Sequence, residues 1–260
     1  MDLLQVVIER FEVFLLVLAR ISGMFFISPF FGNKSVPVKV KMIIALSVTI
    51  IALPLIPTPE KAVKGDIIEI LLIVAQEVSF GAMLGFVANF IFMAMHVAGH
   101  VIGFQMGFAI VNVIDPATQT QVSIIAEFKY FMAMLIYLAI NGHHFLISAV
   151  VQSFQLIAPG QMSFVQASGS LIARMSMNIF VIGMKIAAPA MITLFLVSLA
   201  LGIIARTVPQ MNVFIVGFPV KIAAGLMIIA AGLPYFGSLF SKFMTQMEAD
   251  LTNLIILNAR

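Results

Sequence analysis

The sequence predicts an all-α integral membrane protein made of long, tilted helices and half-helices. Three observations carry that prediction. Hydrophobic residues make up 62% of the chain and charged residues only 10%, against about 25% charged in soluble domains. Mean hydropathy is +1.15. Several apolar runs reach the roughly 20 residues that a spanning helix needs, and two are longer than 30 residues.

Taken in order, the first apolar helical segment covers about 10–31 and ends at Ser28-Pro29 and Gly32-Asn33, which are turn formers. Asp2, Glu9 and Glu12 stand where a cleaved signal would be basic, so no removable leader is expected. Pro37 opens a second segment over about 41–57, and Pro54, Pro57 and Pro59 lead into the charged stretch Glu60 to Glu69. A third segment, about 66–98, carries Glu77, Gly81, Gly85 and Asn89 on one helix stripe. Small residues at that spacing let helices approach closely in a membrane. Glu77 is read either as bound by a neighbouring helix's donor or as a proton-relay carboxylate.

The fourth segment is short, about 99–113. Gly99, Gly103 and Gly107 recur every fourth residue, interleaved with Phe104, Met106, Phe108 and Ile110. The chain then turns polar through Asn112, Asp115, Pro116, Thr118, Gln119, Thr120 and Gln121. Such a break cannot face lipid, because its freed backbone groups would find no partners there. It must lie against protein, face water, or sit outside the bilayer. Apolar sequence resumes over about 122–141, followed by a polar connection from Asn141-Gly142 to Arg174 that holds Pro159-Gly160. Segments at about 172–205 and 211–240 close the chain around the turn Val208-Pro209-Gln210. Segments of more than 30 residues run about 45–50 Å, against a hydrocarbon core of about 30 Å, so upright helices fit poorly.

The charges are asymmetric. Lys34, Lys39 and Lys41 cluster in the first connection, and Arg206 sits at the last turn. The positive-inside tendency puts both in the cytoplasm and the 141–174 connection outside. Between Phe128 and Met247 there are six Lys or Arg residues, Lys129, Arg174, Lys185, Arg206, Lys221 and Lys242, and no acid. Cations deep in apolar helices must snorkel, meet a permeating ion, or find partners outside this half of the chain. Carboxylates or helix C-termini of other subunits would serve, with Glu77, Lys185, Arg206 and Lys221 as inter-subunit charges in a hetero-oligomer. Trp is absent and Tyr numbers 3, which leaves little for the usual interfacial belts. The 18 Met residues suit irregular packing surfaces.

Enzyme chemistry finds no support. Cys is absent, and His96/His100 and His143-His144 lack the further ligands that zinc requires. Ser168-Gly169-Ser170 is not the GxSxG elbow and is placed in a loop. Asp115-Pro116 has no second intramembrane aspartate, and no phosphate-binding loop occurs. The net charge of +3, with no basic run interleaved with aromatics, gives no reason to expect nucleic acid. No cofactor or metal is expected.

The most specific string is the last hairpin, Ala205 to Phe214 followed by Gly217-Phe218-Pro219-Val220-Lys221. Arg206 complements a helix C-terminus and Pro209 suits a helix start. The string as a whole, with Pro209, Gln210, Asn212 and Pro219, resembles the signature of the FliR family of the flagellar type III export gate. Arg20, Pro29 and Val36-Pro37 are similar to that family's N-terminal pattern. Gly99 to Pro116 looks like its Gly-rich segment ending in Asp-Pro. Asn141-Gly142-His143-His144 resembles a loop of flagellar members, which favours them over the injectisome homologues.

The resemblance implies a FliP-like part over 1–165 fused to a FliQ-like helical hairpin over 166–260. It implies one copy assembled with five of FliP and four of FliQ around an export channel, with FlhB and FlhA at the cytoplasmic side and exported flagellar proteins as cargo. The complex would sit in the inner membrane at the flagellar basal body, displaced toward the periplasm. A plug loop would fall on about 106–121. Phe104, Met106, Phe108 and Ile110 would form an apolar seal, and Asn112, Asp115 and Pro116 part of the movable plug. Gly81, Gly85, Gly99, Gly103 and Gly107 would allow close backbone approach. Two rivals stay open: an ion-coupled secondary transporter using Asp115 and the broken helix, and a scaffold without gating.

Overall fold

A computed structural model describes residues 3–33, 35–57, 66–108, 123–162, 166–210 and 212–259. Among these residues every extended element is a helix. Helix α1 is Leu3–Ile27, α2 is Val38–Ala52 continued by a 3-10 turn at Leu53–Leu55, and α3 is Ile67–Met106. Helices α4 (Ile124–Ala139) and α5 (Gly142–Leu156) are short, whereas α6 (Gln166–Thr207) and α7 (Val213–Asn258) are the longest. At 1.5 Å per residue the 40 residues of α3 reach about 60 Å and the 46 of α7 about 70 Å. Four described helical stretches, Val38–Leu55, Ile67–Met106, Ser168–Thr207 and Ile215–Asn258, are long and apolar enough to cross a membrane, with a fifth if α4 and α5 count as one span.

Several boundaries differ from the sequence expectation. The segments at about 66–98 and 99–113 are one continuous helix through Gly99 and Gly103, ending at Met106. Interior Gly costs about 1 kcal/mol relative to Ala, and here the missing side chains are offset by tight packing described below. The supposed loop from 141 to 174 contains α5 and the first two turns of α6, so Ser168-Gly169-Ser170 is helical. Ile140 and Asn141 make the break before α5, and Asn141 takes a left-handed φ of 58°, a conformation Asn tolerates better than most residues. The last helix runs on to Asn258 rather than stopping near 240. Pro219 and Pro234 lie inside it, as Pro189 lies inside α6.

By packing, the chain divides into two compact units. One comprises Met1–Phe90, Leu138–Met175 and Met244–Arg260, the other Ile91–Tyr137 and Ser176–Phe243. The expected division at residue 165 concerns likeness to two other proteins and is a separate matter. In the first unit α1 packs on α2 and α5, with Val17, Ile21, Phe25, Phe80, Leu84 and Phe154 fully buried. In the second, Phe92 sits edge-on to Tyr130, Tyr137 and Phe240 at 5.4 to 6.0 Å between ring centroids.

Candidate functional site

The first unit is pinned by a buried ion pair. Arg20 of α1 and Glu77 of α3 both have 0% exposure. The Arg20 guanidinium donates from Nε to Glu77 Oε2 at 2.6 Å and from Nη2 to Oε1 at 3.1 Å, a two-pronged fork. Nη1 donates to Ser153 Oγ at 2.9 Å, and both Nη atoms reach the Ile157 carbonyl at 3.3 Å. Glu77 Oε1 also accepts the Gly160 N–H at 2.8 Å. Phe154 and Phe80 lie against the guanidinium, with centroids 4.0 and 5.1 Å from Cζ. Every polar edge of the pair is therefore used inside one chain. Within the chain, Glu77 is thus bound by a donor from a neighbouring helix. Arg20, singled out in the sequence only through family resemblance, is that donor. One signal in the sequence pointed to it: Arg20 and Glu77 are opposite charges set within apolar runs, each needing a partner.

Close approach of α1 and α3 makes the pairing possible. A Cβ on Gly81 would overlap the Arg20 carbonyl, and one on Gly85 would lie 2.7 Å from the Met24 carbonyl oxygen. Asn89 adds a hydrogen bond from Nδ2 to the Ile27 carbonyl.

In the second unit, the C-terminal end of α3 meets the start of α4. A Cβ on Gly99 would overlap the Ala126 backbone, and one on Gly103 would sit 2.6 Å from Ser123 Oγ. The helix stops at Gly107, whose φ is +93°. The Gly107 N–H donates to the Phe104 carbonyl and the Phe108 N–H to the Gly103 carbonyl, each at 3.1 Å. That pair of bonds around a left-handed residue is the Schellman cap, which favours Gly. On the other side Ser123 caps α4: its carbonyl accepts the Glu127 N–H at 3.0 Å and its hydroxyl the Ala126 N–H at 3.4 Å. Residues 109–122 are thus bounded by a C-cap and an N-cap held beside each other through Gly103 and Ser123.

The proposed seal residues split in two. Met106 is fully buried and its thioether lies on Gly225 of α7, where a Cβ would come within 2.6 Å of Sδ; Phe104 is 73% exposed. The Phe218 ring covers Gly107, and Phe104, Gln105, Leu201 and Lys221 join them around a groove of about 440 Å³. Gln105 Oε1 is buried there without a hydrogen-bond partner. Phe108 is half-buried. Ile110, Asn112, Asp115 and Pro116 lie outside the described residues.

At the last hairpin, Arg206 occupies the final turn of α6. Pro209 and Gln210 form the turn, and Asn212 caps the start of α7: its Oδ1 accepts the Ile215 N–H at 3.3 Å. Pro219 follows Phe218 inside α7. Lys185 and Lys221 have no carboxylate partner among the described residues.

An all-α chain with several membrane-length helices, a buried ion pair and one helix end capped hard against its neighbour defines an integral membrane protein that anchors the two ends of a polar segment within one unit. The model of the bacterial export proteins, family 1, matches residues 11–247, and the chain belongs to that family. It is 39% identical over 255 residues to the flagellar biosynthetic protein FliR of Bacillus subtilis, covering 96% of this chain and 97% of the relative. It is 29% identical to the FliR proteins of Escherichia coli, over 92% of this chain and 89% of the relative, and of Aquifex aeolicus, over 88% and 89%. The family is one of export proteins and not of enzymes.

Proposed function

We propose that the chain is a subunit of the flagellar type III export gate in the bacterial inner membrane, where it helps line and plug a channel for unfolded proteins. The observation that carries this reading is the pair of caps at Gly107 and Ser123. They fix the residues on either side of the polar segment 109–122 on adjacent helices, as a plug needs. Phe104 and Phe108 stand at the base of that segment, with Ile110, Asn112, Asp115 and Pro116 within it. The flagellar relatives favour a flagellar over an injectisome role.

In this reading FliP in five copies and FliQ in four surround the chain. Residues 1–165 take a FliP-like place and 166–260 a FliQ-like one, FlhB and FlhA serve the cytoplasmic side, exported flagellar proteins are cargo, and the assembly is displaced toward the periplasm. Exposed large apolar side chains such as Ile67, Phe180, Phe195 and Ile215 supply surface for such neighbours. Arg206 and Lys221 meet partner carboxylates or helix C-termini. Deleting about 110–118 tests the plug: the assembled complex should conduct ions through closed channels in planar bilayers. Unchanged conductance with the complex intact would reduce the segment to a structural loop.

A further inference from the structure

Three lysines from three helices face one cavity in the second unit: Lys129 of α4, Lys185 of α6 and Lys242 of α7. The cavity holds about 480 Å³, and its remaining wall is mainly aliphatic, including Ile186 and Ile229, with Tyr235 at 75% exposure. None of the three lysines has a carboxylate partner among the described residues. The sequence has no acid between Phe128 and Met247 to supply one. Lys129 is 7% exposed, and its Nζ lies 4.6 Å from the centre of the Phe236 ring. A cation–π contact steadies an ammonium without neutralising it. Lys185 and Lys242 are exposed.

The buried Lys129 has no anion to offset its desolvation, and Lys185 and Lys242 add positive charge at the same cavity, which favours an anionic occupant. The occupant must also bring apolar surface, since the aliphatic wall offers nothing to a free anion. The volume falls in the range of about 300–1,000 Å³ for small-ligand sites. Both α6 and α7 contain membrane-length apolar stretches, so lipid is at hand for the chain before partners assemble around it. We infer that this cavity binds an anionic phospholipid, its phosphate held by Lys129, Lys185 and Lys242 and the upper part of an acyl chain lying along the aliphatic wall. A partner's carboxylate would set one charge against three and leave that wall uncovered. The inference does not depend on the plug reading.

The test uses the full-length chain, delipidated in an uncharged detergent and titrated with phosphatidylglycerol, phosphatidylcholine or inorganic phosphate. Bound lipid is counted by native mass spectrometry and stability followed by thermal unfolding. Phosphatidylglycerol should bind and raise the Tm, whereas phosphatidylcholine and inorganic phosphate should do neither. Lys185→Gln with Lys242→Gln should weaken phosphatidylglycerol binding about tenfold or more, and Lys185→Arg with Lys242→Arg should retain it. Equal binding of phosphatidylcholine overturns the inference, as does full binding by the double Gln variant. An effect of inorganic phosphate equal to that of the lipid would assign the site to a free anion. Exclusion of lipid by a co-purifying subunit would overturn the inference and assign the cavity to a protein neighbour. If the Gln variant does not fold, the contrast between the two lipids on the unaltered chain still decides.

Discussion

Arg20 and Glu77 show how much a single residue can rest on its neighbours in a membrane protein. Removing one charge of a buried, fully bonded pair leaves the other uncompensated, at about 3–5 kcal/mol. Arg20→Met should therefore lower the thermal unfolding temperature of the isolated chain in detergent severely. Adding Glu77→Leu to it should recover much of the loss, because the uncompensated carboxylate is then gone. A double variant no more stable than the single one would mean that the fork does not govern stability. The glycines make a second contrast. Gly99→Ala drives a methyl into the Ala126 backbone, and overpacking costs about 1–3 kcal/mol. Gly237→Ala, in α7 with nothing within 4 Å of its added methyl, should stabilise by about 0.4–1 kcal/mol. The same melting measurement checks both signs. Both glycines look alike in the sequence; only what faces them differs.

At the scale of the element, α3 was readable in kind and not in extent. Its apolar run and its four-residue spacing of small residues announce a packed helix. The stop at Gly107 was hidden, because Gly99 and Gly103 carry the same signal and the helix passes through both. What separates them is backbone geometry: the left-handed φ and the two capping bonds occur only at Gly107. Gly107→Ala should accordingly cost about 1–3 kcal/mol in backbone strain, besides pressing a methyl against the Phe218 ring at 2.6 Å. Under the gate reading its first symptom is raised ion leak through the assembled complex, measured as conductance in planar bilayers. Phe218→Ala combined with Gly107→Ala should relieve the steric part and leave the backbone part. Helices α5 and early α6 were missed for a different reason. Their stretch carries Asn, Gly, Pro and Ser, which favour turns locally, and tertiary packing of Leu146, Val150 and Phe154 overrides that preference.

For the whole molecule, the gate reading stands on partners, so its decisive measurement is compositional. Affinity purification of the tagged chain from its native membrane should bring down other small membrane proteins in fixed ratio. Recovery of the chain alone, stable and monodisperse, would count against it. The sequence by itself determined the solvent and the class. Its hydropathy, its scarcity of charge and the hairpin around Pro209 to Lys221 are sums or short strings that need no third dimension. The tertiary structure alone decided which charges are spoken for. Glu77 and Arg20 stand 57 positions apart and meet only because Gly81 lets two helix backbones touch. Lys129, Lys185 and Lys242 come from three helices and share one cavity. Pair energies depend on distance and burial, and a linear chain specifies neither until it packs.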